Sequence, residues 1–372
     1  MPLEIDVTRL PPQLARVLAA GAPPAARMMA ASGVVPGARP SDVVTLVALL
    51  TEATEDAVRT KAFETLAKLP APILNGALAI DLDPGVVQIL ADTYGRNTDV
   101  VARLLRMPRI GESALVLLAE RADEAIGELV ATNEERLVQF PVVIEKLYMN
   151  KRVRMSTADR VLELAVRSGI ELSIPAFKEA AAAIKNELIA EATPEPTFED
   201  RLAEEVEQIG AALAADPTVE DSHVIDELGE EKIDEKVMPL HARIAEMTIS
   251  QKIRMAMLGP SAARLLLVRD TNRLVAAAAI QSPMLNENEV ARISTSRQVS
   301  EDVLRIIAQD RTWTRSYQVK MNLVLNPRTP FTFSSRLIPH IRESDLRSLS
   351  RSKNVPASIQ TAARQQLARK KK

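Results

Sequence analysis

The sequence predicts an all-α protein, built as two blocks of stacked helical hairpins joined by an acidic linker. Three observations predict it. Alanine and leucine dominate while aromatic residues make up only 3% of the 372, and small side chains favour close helix–helix packing over a sheet sandwich. A phrase of two apolar residues, two variable residues and proline recurs at Leu66-Ala67…Pro70, Leu104-Leu105…Pro108, Leu137-Val138…Pro141, Ala279-Ile280…Pro283 and Leu323-Val324…Pro327. Charge, finally, is segregated. Residues 187–235 hold 17 acidic and two basic residues, whereas residues 236–372 hold 24 basic and nine acidic.

The proline phrase reads as the end of a helix. Positions four apart share one helix face, and eight residues before each proline stand Ala62, Val100, Asn133, Val275 and Val319, apolar in four of the five copies. Proline cannot continue the helix that precedes it. Adjacent copies lie 38, 33 and 44 residues apart, the size of one helical hairpin in a stacked repeat.

Taken in order, residues 1–40 are rich in proline, glycine and alanine and predict a loose lead-in with one short helix. Ser41 is the expected N-cap of the apolar helix that opens the N-terminal block, residues 41–185. Within it, Asp83-Pro84 reads as a cap followed by proline at the first helical position. Asn97 to Asp99, Gly111 and Gly169 mark turns. Residues 186–236 form the acidic linker, a stretch with exposed helices suggested by Leu202, Val206, Ile209 and Leu213. The basic C-terminal block spans 237–369, with capping spacing at Asn286 and Glu289 and a cap at Ser300, and 370–372 add a basic tail.

A second echo supports internal repetition. Glu289-Val290-x-x-Ile293-Ser294-x-Ser296-Arg297-Gln298-Val299 aligns with Asp345-Leu346-x-x-Leu349-Ser350-x-Ser352-Lys353-Asn354-Val355, and Asn150-Lys151-Arg152-Val153 echoes the last four positions. Together with the proline phrases, this pattern over 42–185 and 237–369 resembles the HEAT and armadillo-like α-solenoids, including the variant leucine-rich helical repeats of bacteria. Arg269-Asp270-x-Asn272-Arg273-Leu274-Val275 through Asn326-Pro327-Arg328-Thr329-Pro330 is also similar to a bacterial helical-repeat family to which no activity is attached. The resemblance implies a surface that binds another macromolecule.

Catalytic chemistry finds little support. No G-x-G-x-x-G or G-x-x-x-x-G-K-[ST] run is present to cradle phosphate, and Gly111-x-Ser113 lacks the second glycine of a nucleophile elbow, so Ser113 reads as an ordinary helix residue. The absence of cysteine excludes disulfides and thiolate chemistry. His223, His241 and His340 are far apart and predict no metal site; His340, beside isoleucines, reads as a partly buried structural residue. The pairs Glu204-Glu205 and Glu230-Glu231 read as a solvated face, because adjacent helical residues diverge by about 100°. The expectation is a non-enzymatic protein without catalytic residues, cofactor or metal. The opening Met1-Pro2-Leu3-Glu4-Ile5-Asp6 lacks the basic-then-apolar order of a secretory signal and no apolar run approaches about 20 residues, so a cytoplasmic, membrane-free protein is expected.

Two features point to binding. The second block carries Arg269, Arg273, Arg311, Arg315, Lys320, Arg328, Arg336, Arg351 and Lys353, a field that would attract acidic protein or phosphate. Trp313 and Tyr317 lie among them, four apart and expected on one helix face, and Trp, Tyr and Arg dominate protein interfaces. These eleven residues are the predicted partner-binding set for a scaffold or adaptor recognising an acidic surface or extended protein segment. The alternative partner is nucleic acid, held through its phosphates, and the acidic linker would be placed to fold over the basic block as a competitor.

Overall fold

The computed structural model describes residues 5–6, 10–19, 22–189, 191–219, 221–226, 229–352 and 355–370. The chain is all-α, with one two-stranded hairpin among the described residues. It divides between Leu172 and Ser173 into two compact units, so the segment 173–185, expected in the first block, and the acidic stretch both fall in the second unit.

Unit 1 begins with α1 (Pro12–Leu18), α2 (Pro24–Ala31), α3 (Pro40–Leu50), α4 (Asp56–Ala67), α5 (Ala71–Ala77) and α6 (Pro84–Tyr94). It continues through α7 (Thr98–Leu105), α8 (Glu112–Arg121), α9 (Glu124–Ala131), α10 (Glu134–Gln139), α11 (Pro141–Met149) and α12 (Met155–Arg167). The lead-in therefore holds two helices rather than one, and α2 packs on α3 and α4. Ser41 lies inside α3, not at its cap: Pro40 takes the first helical position, where its preset φ suits the helix, and Arg39 becomes the N-cap. Asp83 takes the N-cap position of α6 as expected, without a side-chain bond to the helix amides, and Asn97, expected as a turn, caps α7 with its side chain.

Unit 2 comprises α13 (Phe177–Ile184), α14 (Phe198–Ala215), strands β1 (His223–Ile225) and β2 (Glu231–Ile233), α15 (Met238–Glu246), α16 (Ile249–Leu258) and α17 (Ser261–Leu267). It then runs through α18 (Arg273–Ile280), α19 (Glu287–Thr295), α20 (Glu301–Gln309), α21 (Tyr317–Leu325), α22 (Phe331–Leu337), α23 (Glu343–Arg351) and α24 (Ala357–Lys370). Asn286 and Glu289 close a capping box, and Ser300 caps α20.

Every proline phrase sits at a helix end: α4, α7, α10, α18 and α21 stop two or three residues before Pro70, Pro108, Pro141, Pro283 and Pro327. Leu66, Leu104, Leu137, Ala279 and Leu323 are buried there, as are Ala62, Val100, Val275 and Val319 one or two turns earlier. Helices pack on the helix two or three places further along: α4 on α6, α6 on α8, α7 on α9 and α9 on α12 in unit 1, and α16 on α18, α18 on α20, α19 on α21 and α20 on α22 in unit 2.

Polar side chains join these layers over a shorter interval than the prolines mark. In unit 1, Tyr94 Oη donates to Leu66 O (2.5 Å), Arg109 pairs with Asp81 and Asp83 (2.7 Å each), and Asn133 Nδ2 donates to Leu105 O, all with partners 26 to 28 residues back. Asn150 and Asn326 do the same work in the two units. Asn150, just after α11, donates to Ala119 O and Ala122 O (2.9 Å each) at the end of α8. Asn326, just after α21, donates to Ser294 O (2.9 Å) and Ser296 O (2.8 Å) at the end of α19. Each also accepts from the backbone N–H two residues on. The echoed valines Val153 and Val299 are buried beside such turns, and Val355 is buried too, the Lys353 and Asn354 of its echo lying outside the described residues.

Other expectations change. Leu202 and Val206 of α14 are buried against α15 and α17, so the linker's helix is packed. Glu230-Glu231 lies on the hairpin rather than a helix, and Glu231 is half-buried. His340 ends a 3-10 turn in which Ile338 and Ile341, three apart, point inward and leave the histidine exposed.

Asn326→Ala should lower unfolding stability by about 1–3 kcal/mol, because two buried carbonyls lose their donor. Urea denaturation should show a lower midpoint at unchanged slope, and an unmoved midpoint would remove this residue from the layer-joining role.

Candidate functional site

The predicted binding residues fall into three settings. Arg269, after α17, is buried, with only 4% of its side chain exposed. Its Nη1 donates to Leu265 O (2.7 Å) and Ser222 Oγ (3.1 Å), its Nη2 to Asp221 (3.3 Å) and Glu231 (3.2 Å), and its Nε to Glu231 and Ser296 Oγ (3.2 Å each). Its charge is thus met by acids of the predicted linker. Arg328 reaches Gln298 O (3.3 Å) and Val299 O (3.2 Å), holding the same turn after α19. Arg269 is committed inside the unit, and Arg328, though exposed, is committed to this turn.

Trp313 and Tyr317 do not share a helix. Ser316 is extended and serves as the N-cap of α21, so Tyr317 opens that helix while Trp313 belongs to a 3-10 turn before it. Tyr317 Oη donates to Asp345 and accepts from Arg342 N–H (3.2 Å), and the Arg342 guanidinium lies 4.4 Å from the ring centroid. Burial, with Asp345 beside it, raises the pKa of the Tyr317 hydroxyl. Trp313 is half-buried and Lys320 likewise, between exposed Arg311 and Arg315.

Arg273, Arg336 and Arg351 are exposed at separate places. Arg273 pairs with Asp302 (2.8 Å), and the Arg336 guanidinium stands 5.8 Å from the Phe333 ring centroid. Arg351 ends α23, and Lys353 lies outside the described residues.

Several residues outside the predicted set build the most organised polar site. Glu231 is received by the turn after α19: Ser296 Oγ donates to Oε1 (2.7 Å) and Oε2 (3.0 Å), and Arg297 N–H donates to Oε2 (3.1 Å). Gln298 Nε2 donates to the Glu231 carbonyl. The echo at Ser296 to Val299 marks this turn in the sequence as a repeat, but nothing there says that a carboxylate from 65 residues earlier occupies it. Burial pushes the Glu231 carboxyl up, yet Ser296, Arg269 and Arg297 outweigh it and the net shift is downward.

Two clefts flank the hairpin. One, of about 910 Å³, lies between Asp221, Glu230 and Glu231 on the hairpin side and Arg269, Arg292 and Arg297 opposite, with Leu325 and Pro327. Arg292 and Arg297 are exposed and have no ion-pair partner among the described residues. The other, of about 700 Å³, is lined by His223, His241 and the Lys252–Asp270 pair, whose charged atoms are 3.6 Å apart. Burial first, and then Arg269, lowers the His223 pKa to about 4. Among the described residues, no group of three or more His, Asp or Glu is placed to hold a metal ion, and no helix is long and apolar enough to cross a membrane.

No protein-family model matches the chain, and no curated protein or solved structure matches it.

The two shifted groups fix the sign of the acid response. A histidine that titrates near 6.5 in the unfolded chain and at about 4 when folded binds its proton first in the unfolded state. Stability is therefore full above pH 6.5 and declines toward pH 4, and Glu231 adds a further loss as pH falls through its depressed folded value. The His223 ring Cε1–H resonance should titrate near pH 4 by NMR; a midpoint near 6.5 would mean that the hairpin does not bury it against Arg269.

Proposed function

We propose that the chain is a non-enzymatic, solenoid-like scaffold that binds an acidic protein partner through the basic surface of unit 2, on and around α19 and α21. One cluster carries this reading. Both units hold bridged arginines, such as Arg109 and Arg160 in unit 1 and Arg264 and Arg273 in unit 2. Around α19 and α21, Arg292, Arg297, Arg311 and Arg315 are exposed and have no carboxylate partner among the described residues, with Trp313 half-buried between the last two. Unpaired guanidinium groups beside an indole are the side chains that serve best as interface anchors. The layered packing of successive helices supports the solenoid part, since such stacking presents turns and helix ends in a row.

α19 and α21 run side by side in the same direction, because Asn322 Nδ2 reaches Ala291 O and Asn326 Nδ2 reaches Ser294 O. The Trp313–Arg315 turn therefore stands at one end of α21 and the hairpin cleft at the other, about 12 Å away at 1.5 Å per residue. An extended partner segment of a few residues spans that distance. The basic field also suits phosphate, but the organised contact in this unit is a two-oxygen carboxylate cradle, which favours protein.

Binding of a fluorescent Glu- and Leu-rich peptide to the full chain, beside single-stranded and duplex DNA and RNA, tests this across a salt series. The peptide should bind at low salt and weaken steadily as salt rises, and Trp313→Ala with Arg315→Ala should weaken it about tenfold. Tight nucleic-acid binding without peptide binding would replace the protein reading with the phosphate one.

A further inference from the structure

We propose that the acidic hairpin is a built-in stand-in for the partner: Glu231 occupies a carboxylate subsite on unit 2 that an acidic extended segment of the partner takes when it displaces the hairpin. This deepens the protein-binding reading above and rests on it.

Charge is divided across the 910 Å³ cleft by origin. Among the described residues its three acids, Asp221, Glu230 and Glu231, all come from the hairpin segment, and its three arginines, Arg269, Arg292 and Arg297, all come from the helical body. With the hairpin lifted, the body would present a cluster of three guanidinium groups and no carboxylate of its own along that cleft. The subsite is shaped for a carboxylate in particular. Arg269 addresses one oxygen, Arg297 N–H the other, and Ser296 Oγ–H stands within reach of both, an arrangement that matches a planar two-oxygen acid.

Besides these contacts the hairpin is held by the bonds of Ser222 and Asp221 to Arg269, and little apolar burial adds to them. Val224 is 47% and Ile225 77% exposed, so the strands bury little apolar surface, and an isolated two-stranded hairpin is at best marginally stable in water. Its attachment to the α19 turn is polar: Glu231 to Ser296, Arg297 and Arg269, and its own carbonyl to Gln298. A buried arginine strongly disfavours losing its acids without replacement. Exchange for another acidic strand is therefore easier than simple opening, and this makes the partner's chemistry legible from the hairpin's. The required occupant is an extended segment with adjacent acids and an apolar residue to meet Leu325, which is 39% exposed beside the cleft.

The alternating pairing adds a way to seat it. Asp226 N–H bonds Glu230 O and Asp234 N–H bonds Ser222 O, so Val224 and Lys232 form the hydrogen-bonded pair between them. The backbone groups of His223 and Ile225 then point away from β2, along an edge where no described residue pairs with them. A displaced hairpin keeps that edge available for strand addition.

Fluorescence anisotropy of the Glu- and Leu-rich peptide on full-length variants tests this. Glu231→Gln should tighten binding about tenfold, since the internal competitor exchanges a charged hydrogen bond for a neutral one. Arg292→Ala and Arg297→Ala should each weaken it about two- to fivefold. Hydrogen exchange of the 222–234 amides should accelerate when peptide is added to the unmodified chain, which tests displacement without any mutation. Unchanged or weaker binding by Glu231→Gln, or slower hairpin exchange with peptide, would overturn the stand-in role. Binding that depends on Trp313 and Arg315 but not on Arg292 or Arg297 would overturn this site and leave the scaffold reading in place. Nucleic-acid binding in place of peptide binding would overturn both.

Discussion

The structure depends on how the carbonyls at helix ends are satisfied when one layer of helices is laid on the next. An α-helix leaves its last four carbonyls without internal partners, and stacking takes some of them out of water. Asn150 and Asn326 resolve this in the same way, each reaching back to two carbonyls at the end of an earlier helix while its own oxygen organises the turn that follows. Asn133 and Arg136 serve the end of α7 and the loop after it through Leu105 O and Pro108 O. A buried carbonyl left unmet costs about 1–3 kcal/mol, so these residues decide the register in which layers meet. Leucine and alanine contacts supply most of the driving force but tolerate sliding.

The second unit uses one such turn for two purposes. Ser296 to Val299 receives Asn326 and Arg328 from the following layer through its carbonyls. It also offers its hydroxyl, an amide N–H and the Gln298 side chain to Glu231. Arg269 ties the arrangement together from the preceding layer. This explains why the acidic stretch is not a loose tether: α14 buries Leu202 and Val206 against α15 and α17, Glu187 accepts from Ser250 N–H in the first turn of α16 (2.9 Å), and Lys236 meets Asp216 (3.1 Å). The opposite charges of neighbouring segments are joined through particular pairs, which act at contact distance and are less screened by salt than a diffuse attraction.

Much of the architecture was legible in the chain. The all-α class, the helix ends before five prolines, the turn at Asn97, the N-cap positions of Asp83, Asn286 and Ser300 and the echo shared by the segments before Val153 and Val299 all follow from local rules: proline lacks an N–H, short polar side chains favour turns and helix starts, and apolar spacing marks a buried face. Where local rules failed, a neighbouring constraint won. Pro40 moved the start of α3 ahead of Ser41. Ser316 in an extended conformation separated Trp313 from α21, and a 3-10 turn rather than an α-helix placed His340 outside. The interval between layers was longer by proline spacing than by the joining bonds because proline marks only some of the helix ends.

The candidate site was less legible, for a reason of distance. Sequence alone determined that the second half would carry an excess of arginine and that an acidic stretch would precede it, since both are matters of counting. It also determined which helices could form and where they must stop, because those choices are made within a few residues. Only the tertiary structure decided which arginines are consumed. Arg269 is buried against its acids, Arg328 holds the turn after α19, Arg273 is paired, and Arg292, Arg297, Arg311 and Arg315 have no carboxylate partner among the described residues. That outcome rests on contacts between residues tens of positions apart, such as Glu231 with Ser296, and no local preference of either residue encodes the other.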